Sequence, residues 1–126
     1  MTHKVETICA LASALGQSGI GIVRVSGPLA KPVSEKILQK ELISRYVYYG
    51  AFYDNDNNVI DKGVAIFFPG PNSYTGEDVV EFQGHGGVSV LRKVLETIIV
   101  SDIRLAEPGE FTKRAFLNGK MDLVQA

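Results

Sequence analysis

Two charged residues interrupt strand-like apolar segments, and they have the clearest potential for ligand chemistry. Arg24 shares one side of its segment with Ile20 and Ile22. Glu81 interrupts the segment Val79-Val-Glu-Phe-Gln83. A charged group on an apolar face needs a partner or water. For Arg24, another side chain is a commoner partner than a ligand. For Glu81, a solvated face is commoner than pairing with a ligand or a cation.

Other reactive side chains give weaker signals. Glu77 and Asp78 are adjacent, so they would point to opposite faces of a strand or be solvated in a loop, and general acid/base work is not expected of them. Cys9 lies in an apolar segment, which predicts a buried, inert thiol. Only His3 and His85 accompany it, without the spacing of a zinc site. We therefore predict no catalytic residue and no metal site.

The glycine-rich segments allow limited anion chemistry. Gly84-His-Gly-Gly87 precedes a predicted helix, so its amides could hold an anion or a carbonyl oxygen; a tight turn that requires glycine is the alternative. Gly19-x-Gly21 is followed by Arg24 where a dinucleotide-binding loop has glycine. A Walker loop would need glycine at Arg114. Neither standard nucleotide-binding loop is present in the sequence.

Five apolar segments predict strands that would position these residues. They lie at 5–12, 20–25, 45–53, 59–68 and 78–82. The first two are separated by a glycine-rich stretch that predicts a turn. The polar residues 54–58 can bond their own backbone and adopt left-handed conformations, so the third and fourth segments are predicted to form a hairpin.

Three segments have helical spacing. The first follows Ser26 and Gly27, which suit a helix cap, with Pro28 in the first turn. The apolar positions of this first helix are Val33, Ile37 and Leu38. Those of the second helix are Val88, Leu91, Leu95 and Ile98, and those of the third are Phe111, Ala115 and Phe116. Residues 107–110 would open the third helix and Asn118-Gly119 would end it. The predicted fold is α+β, with a mixed sheet of about five strands and three helices.

The whole chain fits one domain. It has 126 residues with 45% hydrophobic content, and its formal net charge of -1 gives no global positive field for nucleic acid. The first residues lack a signal-peptide layout, and no run approaches the roughly 20 apolar residues of a membrane span. We expect a soluble cytoplasmic protein.

Four segments together resemble one known family. They are Gly19-Ile-Gly-Ile-Val-Arg-Val-Ser-Gly27, Phe67-Phe-Pro-Gly-Pro-Asn-Ser-Tyr-Thr-Gly-Glu-Asp78, Glu81-Phe-Gln-Gly-His-Gly-Gly87 and Pro108-Gly-Glu-Phe-Thr-Lys-Arg-Ala-Phe-Leu-Asn-Gly-Lys120. In this order they resemble the N-terminal domain of the MnmE (TrmE) tRNA-modification GTPases. The first loop differs, since that family usually has Ala-Thr-Pro-Pro-Gly-Arg-Gly where residues 12–18 read Ala-Ser-Ala-Leu-Gly-Gln-Ser.

The resemblance implies a ligand and a dimer. The family's domain is similar to the tetrahydrofolate-binding domain of aminomethyltransferases, forms a homodimer and binds a formyl-tetrahydrofolate near the dimer interface. Arg24, Glu81 and Lys120 match the family's folate-contacting positions. A carboxylate such as Glu81 can accept two hydrogen bonds from the pterin's amino and ring N–H groups, and the two cations can meet carbonyl or carboxylate oxygens.

The resemblance also implies a larger parent protein. Residues 1–120 would be its N-terminal folate-binding and dimerisation domain, and 121–126 the truncated start of a helical domain. That helical domain would carry a GTPase with its GTP, magnesium and potassium sites, none of which lie in this sequence. With the flavoprotein MnmG, the parent would modify the fifth carbon of the wobble uridine in certain tRNAs.

Two other interpretations stay open at this point. The chain could be a pure dimerisation module in which Arg24 and Glu81 form a structural ion pair and no folate binds. It could instead be a free-standing folate enzyme similar to aminomethyltransferases, although it is too short for that family's additional domains.

Overall fold

A computed structural model describes residues 5–12, 21–84 and 87–120. The elements are β1 (Ile8–Leu11), β2 (Gly21–Ser26), α1 (Ala30–Leu38), β3 (Val47–Tyr53), β4 (Val59–Phe68), β5 (Val79–Gly84), α2 (Gly87–Ile99), β6 (Arg104–Leu105) and α3 (Glu110–Leu117). The α+β class and all three helices are confirmed. The stretches at 13–18, 85–86 and 121–126, on which further predictions fall, lie outside the described residues.

The strands form one mixed sheet in the order β3-β4-β5-β2-β1-β6. Neighbouring strands are antiparallel except β1 and β6, which are parallel. The sequence predicted about five strands, and β6 is the additional one. Its two residues are too few to show an alternating pattern, which explains why it was missed.

The two faces of the sheet have different environments. Val23, Val25, Val80 and Phe82 point to one face, where they are fully buried in the core with apolar residues of α1 and α2. The alternating positions of β2 and β5 point to the opposite face, where Ile22, Arg24, Glu81 and Gln83 are only partly buried, while Ser26 and Val79 at one end are buried. We call this second face the open face.

The start of α1 differs from the prediction. Ser26 and Gly27 do not cap it: the helix begins at Ala30, and its N-cap residue Leu29 makes no side-chain cap bond. The backbone N–H of Leu29 donates instead to Thr7 Oγ1 at 2.9 Å, so a hydroxyl from before β1 binds an amide at the helix entrance. Ser26 is drawn into the sheet, where its hydroxyl bonds Thr75.

The turn between β3 and β4 is stabilised by the side chain of Asp54. Asp54 Oδ1 accepts hydrogen bonds from the backbone N–H groups of Asp56 and Asn58, both at 2.9 Å, and Asn57 is left-handed with φ 63°. The predicted β3–β4 hairpin is therefore confirmed.

The longest described helix, α2, has 13 residues, and no described helix is long and apolar enough to cross a membrane.

Cys9 is buried in β1, as its apolar surroundings predict. Its side chain is 0% exposed, and its Sγ lies 3.6 Å from the carbonyl oxygen of Arg104. Burial raises the pKa of the thiol to about 11, so the reactive thiolate is scarce at neutral pH.

Replacing Phe82 by alanine should destabilise the fold strongly. Phe82 and Phe52 are fully buried and meet edge to face, with ring centroids 5.4 Å apart. Removing the ring leaves a cavity in the core and should lower the free energy of unfolding by about 3–5 kcal/mol. Urea denaturation measures this loss. Val100→Ala, at a position 70% exposed, is the control and should change stability by less than about 0.5 kcal/mol. Equal effects of both changes would contradict this packing.

Candidate ligand-binding site

The ion pair between Arg24 and Glu81 lies at the centre of the open face. The antiparallel register places Arg24 on β2 directly opposite Glu81 on β5. Arg24 Nε donates to Glu81 Oε2 at 2.9 Å, and the side chains are 20% and 15% exposed. The expectation that Arg24 pairs with a side chain is confirmed. The interpretation that Glu81 lies on a solvated face is wrong, since Glu81 pairs with Arg24. The local sequence does not show that the neighbouring strand places Arg24 opposite Glu81.

Two aromatic rings hold the guanidinium of Arg24. Its Cζ lies 4.8 Å from the ring centroid of Tyr74 and 5.7 Å from that of Phe111. A cation over an aromatic face is stabilised by the ring's quadrupole. Since Tyr74 follows β4 and Phe111 belongs to α3, the arginine joins the sheet to a loop and a helix on the open face.

A cavity of about 530 Å³ opens beside this ion pair. It is lined by Arg24, Arg45, Phe68, Asn72, Ser73, Tyr74, Val79, Glu81 and Lys120. The three residues predicted to contact a ligand, Arg24, Glu81 and Lys120, therefore share one cavity. Its volume is in the ordinary range for small-molecule sites, and it combines apolar walls with a few charged groups.

Lys120 reaches the cavity because α3 ends in a defined turn. Asn118 caps the helix and Gly119 is left-handed with φ 73°, as the Asn-Gly pair predicted. The N–H of Lys120 then bonds the carbonyl oxygen of Ala115 at 2.8 Å. Asn118 also donates from Nδ2 to the carbonyl oxygen of Thr75 at 2.8 Å, which fixes this turn against the loop that carries Tyr74.

Glu77 anchors the same loop from inside. Its Oε1 accepts a hydrogen bond from the Ser26 hydroxyl at 2.7 Å and another from Arg114 Nη1 at 3.0 Å. Its neighbour Asp78 accepts at Oδ1 from the N–H of Gly70 at 2.9 Å. The alternative that both carboxylates are solvated in a loop is wrong for Glu77, which is largely shielded by Ser26 and Arg114, whereas the contact of Asp78 is exposed. Their contacts support the loop structurally.

Glu110 anchors the first turn of α3. It accepts hydrogen bonds from Arg104 Nη1 and Nη2 at 2.8 and 2.6 Å and from the backbone N–H of Glu107 at 2.9 Å. Arg114 approaches it at 3.3 Å. The paired hydrogen bonds from Arg104 lower the pKa of Glu110 to about 2, and the other two contacts act in the same direction.

Sequence reasoning missed several residues of this site. Arg45, Asn72 and Tyr74 line the cavity, and Phe111 stacks on Arg24. Tyr74 and Phe111 lie inside the motif segments but gave no separate signal, since an aromatic residue is more often core than ligand contact. Arg45 precedes β3, so only the folded chain brings it to the cavity. Within the described residues, no group of three metal-ligating side chains occurs.

Comparison with known proteins gives consistent matches. The family described as GTP-binding protein TrmE N-terminus matches residues 7–120. The tRNA modification GTPase MnmE of Vesicomyosocius okutanii is 60% identical over 126 residues, which are 100% of this chain and 28% of that protein. The protein of the same name from Ruthia magnifica is 57% identical over the same shares. That from Pseudomonas putida strain GB-1 is 55% identical over 96% of this chain and 26% of its own length.

The anchoring of α3 should be pH-dependent through Glu110. The folded-state pKa is depressed from 4.5 to about 2, so the stabilisation is present above pH 4.5 and is lost as the pH falls towards 2. Glu110→Gln should therefore destabilise the chain at pH 7, and the difference from wild type should shrink between pH 4.5 and 2.

Denaturant titrations at several pH values measure this difference. Glu96→Gln, at an exposed position on α2, is the control and should have little effect at any of them. A wild-type minus Glu110→Gln difference that stays constant from pH 7 to pH 3 would contradict the assigned ion pair.

Proposed function

Because the chain belongs to the TrmE N-terminal family, we propose that it binds a reduced folate of the formyl-tetrahydrofolate type in the cavity beside Arg24 and Glu81. The observation that carries the proposal is that the three residues at the family's folate positions, Arg24, Glu81 and Lys120, line one open cavity.

Glu81 has the chemistry to recognise the pterin. Its carboxylate is mostly shielded from water, and its Oε2 is oriented by the hydrogen bond from Arg24. An ionised carboxylate has acceptor sites for more than one donor. The amino group and the ring N–H of a pterin would thus meet acceptors of fixed direction, and shielding from solvent strengthens such bonds. Lys120, which lines the same cavity, would bind an oxygen of the ligand.

The rival interpretation as a pure dimerisation module accounts for only part of this arrangement. It anticipates the Arg24–Glu81 ion pair, which is present. A purely structural pair, however, gives no reason for a cavity of about 530 Å³ with Lys120 on its wall. The second rival, an enzyme similar to aminomethyltransferases, is disfavoured by the match of the entire chain to proteins named for tRNA modification.

The open face of the hairpin supports the proposed homodimer. Val47 and Tyr49 on β3 pair with Ile66 and Val64 on β4, so all four point to the open face. Val47 is 55% exposed and Tyr49 is 73% exposed. β3 is also an edge strand, and exposed apolar edges are normally covered. A second copy placed on this surface would lie close to the cavity.

The activity of the whole parent protein is proposed on the same basis. This chain spans about 28% of the length of the first relatives it matches. We propose that residues 1–120 form its N-terminal domain and that the chain beyond continues into a helical domain carrying the GTPase. In the cytoplasm and together with MnmG, the parent would modify the wobble uridine of tRNA, and this domain would hold the one-carbon donor.

Replacing Glu81 by glutamine should weaken folate binding strongly. Glutamine keeps the size but turns one acceptor into a donor that would face the pterin's own donors. The loss should be about 2–4 kcal/mol, or roughly thirtyfold to a thousandfold in affinity. Lys120→Ala should weaken binding less, since Lys120 is exposed and its charge is screened.

Calorimetry with 5-formyltetrahydrofolate in one buffer measures all variants. Lys113→Ala removes an exposed lysine on α3 that does not line the cavity, so it is the matched control for Lys120→Ala and should bind like wild type. Unchanged affinity in Glu81→Gln, with the dimer intact, would remove Glu81 from the site and favour the pure dimerisation module.

The dimer should depend on the exposed side chains of β3. The double change Val47→Glu and Tyr49→Glu places carboxylates of two copies against each other and should convert a dimer into a monomer at micromolar concentration. Light scattering measures the mass. Val100→Glu alters an equally exposed apolar residue after α2 and should leave the dimer unchanged. A wild-type monomer well above micromolar concentration would contradict dimerisation altogether.

A further inference from the structure

Arg45 lines the same cavity as Glu81 and Lys120 but has no role in the proposal above. We propose that Arg45 binds the glutamate carboxylates of the folate and so selects folates that carry that tail. This inference rests on the proposed function, because it assumes that the pterin end of the ligand lies at Glu81.

The sheet places Arg45 at a distance from the pterin end. The backbone N–H of Arg45 donates to the carbonyl oxygen of Phe67 at 2.8 Å, and its neighbour Ser44 forms a bridge with Phe67. This chain segment therefore lies beside β4, whereas Glu81 is on β5. Two strand spacings separate them, which is about 10 Å. A ligand that lies across the strands from Glu81 would extend towards Arg45.

Two contacts fix the guanidinium of Arg45 at the cavity. Its Nη2 donates to the carbonyl oxygen of Asn72 at 2.6 Å, and its Cζ lies 5.7 Å from the ring centroid of Phe68. Asn72 and Phe68 themselves line the cavity. Arginine has five N–H donors in a planar fork, and the bond to Asn72 uses one of them. The arrangement matches the two oxygens of a carboxylate.

The backbone at Arg45 favours a different residue. Its φ of 59° is in the left-handed region, which asparagine and glycine adopt more readily than arginine. Arginine therefore costs stability at this position, and its contacts with Asn72 and Phe68 offset part of that cost while holding the guanidinium at the cavity. Residues held in such conformations concentrate at ligand sites.

The charge of the cavity points to an anionic end of the ligand. The described residues that line it carry three cations, Arg24, Arg45 and Lys120, and one carboxylate, Glu81. Because Arg24 is paired with Glu81, the charges of Arg45 and Lys120 are in excess. In a folate the pterin is uncharged, whereas the glutamate beyond the benzoyl group carries two carboxylates. Of these two charges, that of Arg45 lies two strands from Glu81, where that end of the ligand would be.

The test compares ligands with and without the tail. Calorimetry would measure the binding of 5-formyltetrahydrofolate, its triglutamate and tetrahydropteroate, which has no glutamate. The proteins are wild type, Arg45→Asn, Arg45→Lys and Arg92→Asn. Asparagine suits the left-handed backbone, so Arg45→Asn should unfold at an unchanged or higher temperature. Arg92→Asn removes the same charge from an exposed position on α2 and controls for net charge.

We expect wild type to bind both glutamate-bearing ligands more tightly than tetrahydropteroate. Arg45→Asn should lose about tenfold in affinity for the glutamate-bearing ligands and nothing for tetrahydropteroate. Arg45→Lys should recover part of the loss, because it restores the charge without the planar fork. Arg92→Asn should behave like wild type.

Two results would overturn the inference while leaving the proposed function intact. One is unchanged folate affinity in Arg45→Asn, and the other is an equal loss for tetrahydropteroate, which would indicate a structural role. If wild type binds none of the three ligands, the proposed function itself is wrong, and the inference falls with it.

Discussion

The carboxylate of Glu77 connects the three parts of the chain on which the cavity depends. One of its oxygens accepts hydrogen bonds from Ser26 on β2 and from Arg114 on α3, while its own backbone belongs to the loop before β5. Ser26 is fully buried, and Arg114 is only 13% exposed, so these bonds are shielded from water. A shielded carboxylate that lost its partners would be costly, which makes this junction a strong constraint. It sets the position of Tyr74 above Arg24 and of Lys120 at the cavity wall.

The unequal faces of the sheet explain why a cavity exists here. α1 and α2 pack only against the face that carries Val23, Val80 and Phe82, where the core is closed. On the open face α3 contacts Arg24 through Phe111 at one side of the sheet, and the β3–β4 hairpin at the other side remains exposed. The proposed ligand and the proposed partner surface would both use the open face, which leaves the core on the other face undisturbed.

The sequence predicted the elements better than the contacts between them. Periodicity located five of the six described strands and the three described helices, and the Asp54 turn and the Asn118-Gly119 end of α3 followed from local side-chain chemistry. The environments of Glu81 and Glu77 were misjudged because their partners, Arg24 and Arg114, are distant in the chain and are brought close by strand register and helix docking. Pairing across such distances leaves no mark in a local pattern. Family resemblance supplied Lys120, which periodicity alone would have left on an exposed turn.

The buried thiol of Cys9 can report how often the part of the sheet around β1 opens. It is the only cysteine in the sequence, and it lies in β1 between β2 and β6, where a reagent in solution does not reach it. Its reaction with a thiol reagent therefore reports how often this part of the sheet separates, and slow reaction corresponds to a large opening free energy. No label has to be introduced for such a measurement. Opening of the sheet near β6 can thus be measured in the wild-type chain, separately from ligand binding at the cavity.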